Sequence, residues 1–106
     1  MNRKKEITKL LSQEPKDSFL RYALALEVGK EGNLNTACEM MESLKEDDPS
    51  YLGLYHQLAN YYLQLNKEEN ALNILKEGIA LAKQLKNQKA YNEMSELHWM
   101  YSDEDE

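Results

Sequence analysis

The sequence is short of residues that interrupt helices and of residues that cross-link a fold. Its 106 residues include 4 glycines, 2 prolines and one cysteine, and valine, isoleucine and threonine are also scarce. A single cysteine, Cys38, cannot form an internal disulfide, and its presence fits a reducing compartment. Because helix-forming residues dominate and few residues favour strands, we expect an all-α chain that forms one domain.

Long apolar runs are missing as well. No stretch approaches the roughly 18 to 20 apolar residues of a membrane span, and no apolar run of signal-peptide length follows the basic residues Arg3, Lys4 and Lys5. We therefore expect a cytoplasmic protein that does not enter a membrane.

Basic residues are outnumbered by acidic ones, 13 to 19. The net charge is −6 and the pI is near 5.0, which disfavours nucleic acid as a partner because phosphate binding requires clustered Lys and Arg. Residues 103–106 are all acidic. We expect residues 102–106 to form a solvated acidic tail.

Helical periodicity extends over most of the chain. Apolar residues at i, i+3, i+4 spacing predict six helices joined by short turns. The predicted helices cover about residues 3–13, 18–30, 34–46, 52–65, 68–85 and 87–101. Turns are expected at the two prolines, at Gly32 and at Asn66. Asp17 or Ser18 is expected to cap the second helix, and Ser50 the fourth.

Similar residues recur 34 positions apart. The pairs are Ile7 and Met41, Leu10 and Leu44, Pro15 and Pro49, Leu24 and Leu58, Ala25 and Ala59, Val28 and Tyr62, Gly32 and Asn66, Ala37 and Ala71, and Met41 and Leu75. A repeat of this length indicates stacked helix pairs that bury a continuous core. The first helix corresponds to the second half of a repeat.

The pattern resembles the tetratricopeptide repeat, in which a large residue, Leu-small and another large residue on one helix precede Ala-x3-large on the next. One repeat carries this pattern in Tyr55, Leu58, Ala59, Tyr62, Ala71 and Leu75. Departures occur at Arg21, where an aromatic residue is usual, and at Lys83, where a proline is usual. The resemblance implies a right-handed α-α superhelix with a half repeat at 3–15, repeats at 17–49 and 51–85, and a capping helix at 87–101.

In tetratricopeptide proteins the first helix of each pair lines a concave groove that binds a peptide or a helical segment. The resemblance places eight residues of this chain in such a groove: Phe19, Tyr22, Leu26, Lys30, His56, Asn60, Leu63 and Gln64. Tyr22 and His56 are expected side by side, and these two with Asn60 are the first candidates for partner contact. Phe19 and Leu26 have an alternative interpretation as core residues, since apolar side chains at helical spacing usually pack inward.

No pattern of catalytic or metal-binding residues stands out. The two histidines, His56 and His98, are not accompanied by the further ligands at suitable spacing that a zinc site requires. Cys38 is interpreted as a small core residue, because a reactive thiol needs exposure and nearby positive charge. We expect no catalytic residue, no cofactor and no metal.

The last helix leaves one question open. Trp99 either packs on the fifth helix as core, which is the preferred interpretation, or belongs to an exposed patch for a partner or for self-association. The sequence thus predicts a non-enzymatic protein-binding module. The alternative is a structural homo-oligomer, such as a homodimer, assembled through the terminal half repeat or the last helix.

Overall fold

The computed structural model describes residues 2–102, and within this range all regular secondary structure is helical. The helices are α1 (Arg3–Gln13), α2 (Ser18–Lys30), α3 (Leu34–Asp47), α4 (Gly53–Gln64), α5 (Glu68–Gln84) and α6 (Gln88–Tyr101). The all-α prediction is confirmed, and each helix lies within a few residues of its expected range. The predicted acidic tail, apart from Ser102, lies outside the described residues. Among residues 2–102, no helix combines the length and the hydropathy that a membrane-spanning segment requires.

Side chains cap three of the helix starts. Asn2, Asp17 and Asn87 each accept a hydrogen bond from a backbone N–H in the first turn of α1, α2 and α6, and the bond from Leu20 to Asp17 Oδ1 is 2.9 Å long. The prediction for Asp17 is confirmed. The cap predicted at Ser50 is wrong, because its hydroxyl donates to Asp48 Oδ1 and α4 begins only after Leu52.

The C-terminal ends of α1 to α5 show one of two backbone arrangements. Glu14 and Asp48 end α1 and α3 in non-helical backbone, because each precedes a proline whose ring disfavours helical angles. Helices α2, α4 and α5 are each followed by a left-handed residue, with two crossed hydrogen bonds to the last turn, whereas α6 ends in extended backbone at Ser102. These left-handed residues are Gly32 (φ 91°), Asn66 (φ 61°) and Lys86 (φ 60°).

The described helices form two compact units. Unit 1 contains α1 to α3 and ends at Tyr51, and unit 2 contains α4 to α6. In unit 1, α2 packs against both α1 and α3. Its buried side chains are mostly small: Ile7, Ala23, Ala25, Val28, Ala37, Cys38, Met41 and Leu44. The predicted core position of Cys38 is confirmed.

In unit 2, α5 packs against both α4 and α6. The buried apolar side chains are larger here: Leu54, Tyr55, Leu58, Ala59, Tyr61, Tyr62, Ala71, Ile74, Leu75, Ala82 and Met94. Close approach centres on Gly78, where an added Cβ would lie 2.6 Å from Met94 Sδ and 2.7 Å from Tyr55 Cβ. Gly78 therefore allows α5 to contact α4 and α6 at the same level.

Two apolar residues are exposed, one at a position whose repeat counterpart is buried and one that the sequence interpretation places in the core. Leu10 is 50% exposed, whereas Leu44, 34 residues later, is 1% exposed. Trp99 is 78% exposed, so the preferred interpretation of Trp99 as core is wrong. Met94 fills the space between α6 and α5 instead, and the residues exposed with Trp99 are on the side of α6 away from that contact.

Candidate functional site

A cavity between α4 and α6 brings together three of the predicted groove residues. Its volume is about 360 Å³, and its lining residues are Gln57, Asn60, Leu63 and Gln64 from α4 and Leu97 and Tyr101 from α6. These α4 residues share one face because they are spaced by three and four positions. Asn60, Leu63 and Gln64 therefore contribute to a single surface of unit 2.

His56 directly precedes the first α4 residue of this cavity and lies one turn before Asn60. Its Nδ1 is 3.9 Å from Glu93 Oε1, and both side chains are partly exposed. The two groups form an ion pair only when the imidazole is protonated. His56 is therefore on the face of α4 that is directed towards α6, as Asn60 is.

The predicted groove residues of unit 1 lie along α2. The ring of Tyr22 packs against that of Tyr51, with centroids 5.4 Å apart and planes inclined by 51°. Burial, assisted by the negative charges of Asp17 and Asp48, raises the pKa of the Tyr51 phenol. Tyr22 is half-buried, so part of its surface is open to a partner.

The other unit 1 candidates differ in exposure. Phe19 is 61% exposed, so the alternative interpretation of Phe19 as core is wrong. Leu26 is half-buried, and Lys30 Nζ lies 3.2 Å from Glu27 Oε2. Because α2 and α4 belong to different units, the expected side-by-side position of Tyr22 and His56 stays a prediction.

Sequence reasoning missed the contribution of α6 to the site. The sequence predicts α6 only as a capping helix, so no role in a groove is assigned to Leu97, Tyr101 or Glu93. A second repeat spacing in the sequence, of 36 residues, could have identified them. Buried residues of α4 have counterparts in α6 at this spacing. At this spacing Leu58 matches Met94 and Tyr62 matches His98, so α6 is a helix of the same type as α4.

The chemistry of the cavity suits recognition of a polypeptide. Asn60, Gln57 and Gln64 each offer both amide donors and a carbonyl acceptor, which can pair with a peptide backbone. Leu63 and Leu97 supply apolar surface beside them. Among residues 2–102 no group of three or more His, Cys, Asp or Glu side chains is arranged to hold a metal ion.

Comparison with solved structures first gives the class of this chain, which is that of the helical repeat proteins. The chain is similar to the tetratricopeptide repeat domain protein from Salinibacter ruber in its crystal structure, with 34% identity, a TM-score of 0.75, and coverage of 80% of this chain and 94% of that one. The solution structure of the tetratricopeptide repeat domain protein from the same organism gives 33% identity, a TM-score of 0.80, and coverage of 86% and 92%.

A protein from Bordetella parapertussis with a solution structure shares the fold at 17% identity, with a TM-score of 0.84 over 99% of this chain and 91% of that one. No family model and no curated protein matches the sequence. The identity to the Salinibacter protein over most of both chains shows that this chain belongs to the tetratricopeptide repeat family. The sequence resemblance is thereby confirmed.

Proposed function

We propose that the chain is a non-enzymatic module that binds an extended or helical segment of a partner protein. The proposed surfaces are the predicted groove faces of the two first-type helices, α2 in unit 1 and α4 in unit 2. The observation that carries the proposal is the cavity where the amides of Asn60 and Gln64 stand beside Leu63 and Leu97. The proposed partner is a protein in the cytoplasm, and the net charge of −6 disfavours nucleic acid and anionic membrane surfaces as partners.

Binding would depend on shape and on a few anchoring contacts. The paired donors and acceptors of the amides hold a peptide backbone whatever its sequence, while apolar side chains of the partner contact the leucines. Tyr22 and His56 extend the same type of mixed surface. The partner-binding residues proposed here are Phe19, Tyr22, Leu26, Lys30, His56, Asn60, Leu63 and Gln64.

The test is comparative affinity capture from the native cell extract. The wild-type chain, the double variant His56→Ala with Asn60→Ala, and a control variant Glu39→Ala are immobilised in equal amounts. Proteins retained by the wild type and the control should be lost from the double variant. Its melting temperature should stay within about 2 °C, because truncation of partly exposed side chains has little effect on stability. Equal retention by all three chains would refute a groove at α4.

A second candidate is a structural homo-oligomer, which the exposure of Trp99 (78%) and Met100 (63%) favours. An exposed apolar end of a repeat array can pack on another copy. Sedimentation velocity at several protein concentrations distinguishes the two functions. A homo-oligomer requires a mass that rises with concentration and falls back in Trp99→Ala, whereas a monomer at every concentration excludes it.

A further inference from the structure

We draw no further inference here: the strongest candidate, the exposed surface patch of α6 around Trp99 and Met100, has both basic and acidic side chains on the same helix, and nothing in the structure shows what covers it.

Discussion

Arg21 in α2 and Tyr55 in α4 are 34 residues apart and occupy equivalent positions of the repeat. The contacts that they make with the second helix of each pair, α3 or α5, are of different kinds. Arg21 donates hydrogen bonds from α2 to Asp47 and Ser43 near the end of α3, the one to Asp47 at 2.8 Å. Tyr55 is buried and approaches Gly78 of α5. An ion pair near the surface contributes about 0–1 kcal/mol, whereas burial of a large side chain contributes about 2–3 kcal/mol.

The leucines one turn later repeat the contrast. Leu58 is fully buried, but Leu24 is only half-buried and forms part of the wall of an open groove of about 590 Å³. The groove lies between α1 and α3. Both of these helices pack against α2, but they stay apart from each other beside Leu24. Unit 1 is therefore the loosely packed unit and unit 2 the closely packed one, although both follow one sequence template.

The sharpest test of this contrast truncates the two leucines. We expect Leu58→Ala to lower the free energy of unfolding by about 3–4 kcal/mol, since it leaves a cavity among fixed neighbours. Leu24→Ala should lower it by about 1–2 kcal/mol, because part of the side chain already faces the groove. Urea denaturation followed by circular dichroism measures both. Equal losses would show that the groove closes in solution and that the two units are packed alike.

This contrast also marks the limit of what the sequence predicts. The periodicity predicts the helices, their type and the buried small residues Ala25, Ala37, Ala59 and Ala71, because helical phase alone decides which face is apolar. It does not predict how much of Leu24 or Leu10 is covered. Coverage depends on neighbouring helices, and identical template positions in the two units have different neighbours.

The candidate site shows the same limit. Asn60, Leu63 and Gln64 are predicted from their positions on α4, and the structure places all three around one cavity. The contribution of Leu97 and Tyr101 depends on the register of α6, which is displaced by the extra residues before it. The exposure of Trp99 depends on the same displacement, because the shift turns Trp99 to the open side and Met94 towards α5.

The close packing of unit 2 can be tested at Gly78. Alanine normally favours a helix interior over glycine by about 1 kcal/mol, but here the new methyl would overlap Met94 and Tyr55. We expect Gly78→Ala to lower the free energy of unfolding by about 1–3 kcal/mol, the usual cost of overpacking. Urea denaturation is again the measurement.

Gly32→Ala is the matched control for Gly78→Ala. An added Cβ at Gly32 would meet no atom within 4 Å, so its cost comes only from the left-handed backbone at φ 91° and should be about 1 kcal/mol. Met94→Ala itself leaves a cavity, so it is used in a double-mutant cycle. We expect the loss in Gly78→Ala with Met94→Ala to be smaller than the sum of the two single losses, and the losses in Gly32→Ala with Met94→Ala to be additive. A Gly78→Ala chain as stable as the wild type would contradict the close approach of α5 to its neighbours.

The smallest effect concerns the left-handed residues that end α4 and α5. Lys86 adopts φ 60° with a side chain that disfavours this region, whereas Asn66 at φ 61° is better suited to it. We expect Lys86→Gly to raise the free energy of unfolding by about 0.5–1 kcal/mol, since relief of strain exceeds the added entropy of the unfolded chain. Asn66→Gly should change it by about half as much or less. Thermal unfolding of both variants at one pH gives the comparison, and a loss of stability in Lys86→Gly would mean that the lysine side chain makes a stabilising contact at the end of α5.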